Sequence, residues 1–96
     1  MVVSFHELAE QELNDAAKYY GQQATGLGGA FIAEVRRLAA EILEHPEAGP
    51  VVRGSVRRRL CRRFPYALLY TVRLDTVRIL AIMNLKRRPT YWVGRS

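Results

Sequence analysis

The sequence predicts an α+β fold: a single domain over residues 1–96, with an N-terminal helical hairpin packed on a small antiparallel β-sheet. Two segments of the first half repeat apolar residues every three or four positions, as amphipathic helices do. Three segments of the second half are rich in β-branched and aromatic residues and are separated by turn residues. Because the helices precede the strands without alternating with them, the strands are expected to pair antiparallel.

The first predicted helix covers residues 5–20. Ser4 and Glu7 have the spacing of a capping box, in which two side chains satisfy backbone N–H groups at a helix start. Val2 and Val3 precede this box and are suited to a short edge strand.

The second predicted helix covers residues 27–42 and ends before Pro46, because the residue before a proline disfavours helical geometry. Gly28 and Gly29 lie in its first turn, where each costs about 1 kcal/mol of helix stability relative to alanine. We interpret both glycines as positions where the two helices approach closely.

The three predicted strands cover residues 56–64, 66–74 and 77–83, with a tight hairpin at Asp75 and Thr76. Alternation of period two places side chains of the last two strands on one face each. These are Tyr66, Leu68, Tyr70, Val72 and Leu74 on one strand, and Val77, Ile79, Ala81 and Met83 on the next.

Cysteine and histidine are too few and too scattered to suggest a metal site. Cys61 is the only cysteine, so no intramolecular disulfide can form, and His6 and His45 are far apart. Cations beside Cys61 could lower the pKa of its thiol, but no histidine is near it in sequence and we interpret it as a small strand residue. No glycine-rich phosphate loop follows a strand. We therefore expect no metal ion and no cofactor.

The charges are distributed unevenly along the chain. Residues 1–48 carry eight acidic and three basic side chains, whereas residues 49–96 carry twelve basic side chains and only Asp75 as an acid. A paired acid–base site cannot be built in the second half, which also has no histidine. Its clustered arginines instead suit a nucleic acid or an acidic protein. The apolar stretches are too short to cross a membrane and no signal-peptide pattern is present, so we expect a cytoplasmic protein.

Motifs over nearly the whole chain resemble the RelE/ParE superfamily, the toxins of bacterial type II toxin–antitoxin systems. They are Glu12-Leu13 with Ala16-Ala17 and Tyr19-Tyr20, Gly26-Leu27-Gly28 with Phe31, His45-Pro46, Phe64-Pro65-Tyr66-Ala67-Leu68-Leu69-Tyr70, and Arg87-Arg88-Pro89-Thr90-Tyr91-Trp92 with Arg95. The resemblance implies a helical hairpin on an antiparallel sheet, which agrees with the pattern described above.

The superfamily has two main activities. RelE-like members cut mRNA on the ribosome and typically carry a catalytic arginine at the position that is Ala67 here, although Arg87 and Tyr91 match the later part of such a site. ParE-like members, which this chain resembles better, poison DNA gyrase. The resemblance therefore implies a ParE-like toxin, with no catalytic residue assigned. A ribosome-dependent mRNA endoribonuclease and a basic nucleic-acid-binding module stay open as alternatives.

The resemblance also implies a cognate antitoxin, a small DNA-binding protein whose acidic or amphipathic C-terminal segment folds on the toxin to give a hetero-oligomer. The groove between helices and sheet is its expected place. The antitoxin-binding candidates are Leu27, Phe31, Arg36, Arg37, Arg58 and Arg62. The target-contact candidates are Arg57, Arg59, Arg87, Arg88, Tyr91 and Trp92. For Trp92, a place in the core is an equally good interpretation.

Overall fold

Two helices pack on one face of a five-stranded sheet. The computed structural model describes all 96 residues. Its elements are β1 (Val2–Phe5), α1 (Glu7–Gln23), α2 (Leu27–Glu44), β2 (Val51–Arg53), β3 (Val56–Leu60), β4 (Tyr66–Arg73) and β5 (Thr76–Asn84). The strand order is β1-β5-β4-β3-β2. The α+β prediction is confirmed, but the sheet is mixed because β1 pairs parallel with β5 while the other neighbours pair antiparallel.

The start of α1 differs from the prediction. Ser4 belongs to β1 and does not cap the helix, because residues 2–5 pair with β5. The N-cap is His6, whose Nδ1 accepts a hydrogen bond of 3.0 Å from the backbone N–H of Leu8. The predicted edge strand at Val2 and Val3 is confirmed, and it takes the residues that the capping box would have used.

The strand boundaries differ in three places. The predicted strand 56–64 ends at Leu60, and Pro65 lies in the loop before β4. β2, at the edge of the sheet, was not predicted at all. Leu74 was placed in a strand but lies in the β4–β5 turn, where it is 98% exposed with a left-handed φ of 54°.

A β-bulge changes which residues of β5 face the helices. Leu69 is opposite Ala81 and Tyr70 is opposite Ile79, so Leu80 is an extra residue in β5. Val77 and Ile79 therefore pack with the helices, whereas Ala81 and Met83 lie on the opposite face. The prediction that all four share one face was wrong for these last two, because a bulge reverses the alternation beyond it.

The face toward the helices, called the inner face, is closed by apolar and aromatic packing. Its cluster has twelve buried residues, among them Phe31, Val35, Leu38 and Ile42 of α2. The predicted close approach of the helices is confirmed at Gly28, where a Cβ would collide with the carbonyl of Ala17, but not at Gly29, which has open space. No helix has the length and apolarity to cross a membrane.

Candidate functional site

Residues 85–96, called the C-terminal segment, fold as turns over the other face of the sheet, the outer face. Trp92 is 4% exposed and packs there in a cluster with Ala67, Leu69, Ala81 and Met83. Its indole N–H donates a hydrogen bond of 2.7 Å to the carbonyl of Pro89. Trp92 is thus a core residue in this conformation, and its ring offers no surface to a target.

Glu12, on α1, holds the C-terminal segment. Its carboxylate accepts a hydrogen bond of 2.7 Å from the hydroxyl of Tyr91 and pairs with the guanidinium of Arg95, whose Nη1 lies 2.9 Å away. The same carboxylate accepts a hydrogen bond of 3.0 Å from the backbone N–H of Ile82 in β5. One side chain of the first helix therefore joins the sheet and the chain terminus.

Glu12 and Arg95 also cover an edge of the sheet. β1 pairs with β5 only as far as Ile79, so the backbone of β5 beyond that point has no strand partner on this side. The N–H of Ile82 is satisfied by Glu12, and the carbonyl of Leu80 accepts a hydrogen bond of 3.1 Å from Arg95. Because an open strand edge invites pairing with other chains, this ion pair protects the edge that β1 leaves free.

Tyr91 makes contacts through both its hydroxyl and its ring. Burial, together with its hydrogen bond to Glu12, raises the pKa of Tyr91 well above the usual phenol range. Its ring stacks against two guanidinium groups, with the Cζ of Arg87 at 4.1 Å and that of Arg95 at 5.0 Å from the ring centre. The tyrosine therefore stays neutral and positions Arg87, which is itself exposed.

Two adjoining clefts lie where α1 meets this part of the sheet. One, of about 240 Å³, is lined by Glu12, Asp15, Ala16, Tyr66, Ile82, Asn84, Arg87 and Tyr91. The other, of about 290 Å³, is lined by Tyr19, Tyr20, Pro65, Tyr66, Asn84 and Lys86. Tyr66 and Asn84 form the wall that the two clefts share.

Five exposed cations lie at this end of the sheet and are called here the cationic end: Arg62, Arg63, Lys86, Arg87 and Arg88. The topology brings them together, because β3 ends, β4 begins and β5 ends on the same side. The target-contact candidates Arg87 and Arg88 belong to this group.

The other two candidate arginines, Arg57 and Arg59, extend toward the helix side and serve the fold. Arg57 donates hydrogen bonds to the carbonyls of Glu47 and Gly49, at 3.0 and 2.7 Å. Arg59 pairs with Glu41 of α2 at 2.9 Å. The six target-contact candidates thus do not form one surface.

The antitoxin-binding candidates are also scattered. Phe31 is fully buried, and Arg37 is bound by Glu34 and Glu41 of its own helix. Arg58 alternates with Arg57 and Arg59 and so lies on the outer face, away from α2. The remaining three keep exposed or half-exposed side chains: Leu27, Arg36 and Arg62.

Cys61 lies in the β3–β4 loop just after β3, so the prediction that it is a strand residue was wrong. Its thiol is half-buried, and burial raises the pKa of Cys61 to about 11, so the neighbouring cations do not activate it. Sequence reasoning also missed the roles of Glu12 and Arg95. Both occur among the motifs of the family resemblance, but only the fold shows that they meet. No group of three or more His, Cys, Asp or Glu side chains is placed to hold a metal ion.

Comparison with known proteins indicates a type II toxin–antitoxin system. A family model described as the ParE toxin of type II toxin–antitoxin systems, parDE, matches residues 3–89. Among solved structures, one titled as the chromosomal ParDE toxin–antitoxin system from P. aeruginosa matches with a TM-score of 0.63 and 16% identity. That match covers 88% of this chain and 95% of the other. No curated protein sequence matches. The chain belongs to the ParE toxin family of type II toxin–antitoxin systems.

Proposed function

We propose that this ParE-family toxin arrests growth by poisoning DNA gyrase in the cytoplasm, acting by contact and without catalysis of its own. Membership of the family implies a ParD-type antitoxin as the neutralising partner. The proposal chooses gyrase over the ribosome, the target of RelE-like relatives.

The observation that carries this choice is the burial of Ala67. RelE-like nucleases typically have an arginine at this position, whereas Ala67 is 0% exposed and is packed against Trp92. An arginine here would have to displace the indole that closes the outer face. A mechanism that depends on a cation at this position therefore has no room in this core.

Tyr91 supports the same choice. A nuclease that used this hydroxyl near a scissile phosphate would need it free, but the hydroxyl donates to Glu12 and its pKa is raised. Arg87 remains exposed, so half of a RelE-like site is present without its acid–base partner.

For the antitoxin, we propose that the exposed members of the candidate set supply the contacts. The guanidinium groups of Arg36 on α2 and Arg62 in the β3–β4 loop are exposed and form no ion pair on this chain, so they can meet an acidic segment. Arg62 contacts Glu34 through its backbone N–H. Leu27, half-exposed at the start of α2, is the apolar candidate. Phe31 of the same helix is fully buried and packs in the core.

The test uses purified toxin with purified gyrase and circular DNA, and in parallel with translating ribosomes. We expect loss of supercoiling and accumulation of cleaved DNA with gyrase, and no new cuts in ribosome-bound mRNA. Toxin pre-bound to its antitoxin is the matched control and should leave gyrase active. Cuts in mRNA at stoichiometric toxin, with gyrase unaffected, would replace this proposal by the endoribonuclease.

A further inference from the structure

The cations of the cationic end have no carboxylate partner in the fold, although Arg63 lies over the ring of Phe64 and Arg87 over that of Tyr91. The ion pairs of the structure involve Arg37, Arg59 and Arg95, and none involves the cationic end. Like charges held close together without partners raise the free energy of the folded chain, so their arrangement is best explained by an anionic ligand.

The turn that follows β5 presents its cations in a defined order. Asn84 accepts a hydrogen bond of 2.9 Å from the backbone N–H of Lys86 through Oδ1, and another of 2.9 Å from that of Arg87 through its carbonyl. The guanidinium of Arg87 lies over the ring of Tyr91, with its Cζ 4.1 Å from the ring centre. Stacking uses the face of the guanidinium and leaves its N–H edge available for a phosphate.

An aromatic ring lies beside these cations. Tyr19 is 55% exposed, touches Tyr20 edge-on at 5.3 Å and lines the same cleft as Lys86. An exposed ring that shares a cleft with a cation can stack on a base while the cation holds the neighbouring phosphate.

The acidic side chains nearby leave this cleft open to an anion. Glu12 and Asp15 line only the adjoining cleft, which Arg87 also lines, and both carboxylate oxygens of Glu12 are already hydrogen-bonded. The side of Tyr66 that faces Tyr19 and Lys86 has no carboxylate in its lining.

We propose that the cationic end binds single-stranded nucleic acid, with Lys86, Arg87 and Arg88 holding phosphates and Tyr19 stacking on a base. A duplex fits less well, because its bases are already stacked on one another. The proposal does not depend on gyrase as the target, since it concerns a surface and its ligand.

The test measures fluorescence anisotropy of a labelled oligothymidylate of about 12 nucleotides with purified toxin, over a range of salt concentrations. Tyr19→Ala should weaken binding about tenfold, whereas Tyr19→Phe, which keeps the ring, should bind as the parent does. The double variant Arg87→Ala with Arg88→Ala should lower the salt slope by about 1.4, because each phosphate contact on a single strand contributes about 0.7.

The matched control removes the same charge elsewhere. Arg53→Ala with Arg73→Ala deletes two exposed arginines at the opposite end of the sheet and should leave the slope unchanged. An equal decrease in salt slope for both double variants, or a duplex bound as tightly as the single strand, would show that binding depends only on overall charge. Either result would overturn the proposal. A third contrary result is a polyglutamate peptide that binds as tightly as the oligonucleotide, with an affinity that Tyr19→Ala does not change. That result would overturn the proposal and assign the surface to an acidic protein.

Discussion

The two faces of the sheet are covered by different kinds of structure. The inner face is covered by two helices, and its cluster of twelve buried residues is spread over both helices and the sheet. The outer face is covered by the C-terminal segment, whose cluster of five contains a single large ring, Trp92. A layer held by many periodic contacts weakens gradually, whereas a segment held by one indole and one carboxylate can be released by a single change.

The largest effects should come from the two principal rings of these layers. Phe31→Ala should lower the free energy of unfolding by about 3–5 kcal/mol, because Phe31 is fully buried and packs against Tyr20, Phe64 and Tyr66. Trp92→Ala should cost about 3 kcal/mol, the low end of the same range, because turns can close over the cavity more easily than two helices can.

Denaturant unfolding followed by far-ultraviolet circular dichroism measures both losses. Arg36→Ala, an exposed change on α2, is the control and should stay within about 0.5 kcal/mol of the parent. A greater loss for Trp92 than for Phe31 would mean that the outer face, not the helix layer, dominates stability.

The next effect concerns the attachment of the C-terminal segment. Glu12→Ala should cost about 2–3 kcal/mol, since it leaves Tyr91, Arg95 and the N–H of Ile82 without their acceptor. Glu12→Gln keeps an acceptor but loses the charge, so its loss should be smaller. Trp92 fluorescence should shift to longer wavelength in Glu12→Ala as the indole meets water. Asp15→Ala, exposed on the same helix, is the control, and an unshifted Trp92 spectrum would contradict the role given to Glu12.

The smallest effect is a pH dependence of the helix layer. The guanidinium of Arg37 and the backbone N–H of Arg62 donate hydrogen bonds to Glu34, and they lower the pKa of Glu34. A lowered pKa in the folded state stabilises the protein above the ordinary glutamate pKa, and this stability is lost as the pH falls through the folded-state value. Unfolding measured from neutral to acid pH should therefore be less acid-sensitive in Glu34→Gln, with Glu44→Gln as an exposed control. If the free energy of unfolding falls with pH in parallel for the parent and Glu34→Gln, the contacts of Glu34 with Arg37 and Arg62 do not stabilise the fold.

The inner face was largely predictable from the sequence because its signals are local. The helical spacing of α2 predicted the buried residues Phe31, Val35, Leu38 and Ile42, and Gly28 of its first turn indicated the helix contact. The outer face was not predictable in this way. The bulge at Leu80 leaves no mark in the hydrophobic pattern, and Glu12 meets Arg95 across 83 positions of sequence. Of the candidate site residues, the arginines could be found by charge, but composition cannot distinguish Arg59, which pairs with Glu41, from Arg87, which has no carboxylate partner.

The pairing of the first strand with the last has a consequence for how the toxin is made. β1 is synthesised before both helices and three strands, yet it pairs with β5, and the C-terminal segment follows later than β5. Contacts between distant parts of a chain slow folding, because the loop between them must close before the contact gives any stability. The nascent chain therefore has no complete sheet until β5 has been made, and no closed outer face until the C-terminal segment has been made. Synthesis of the N-terminal half of the toxin therefore precedes completion of its folded structure.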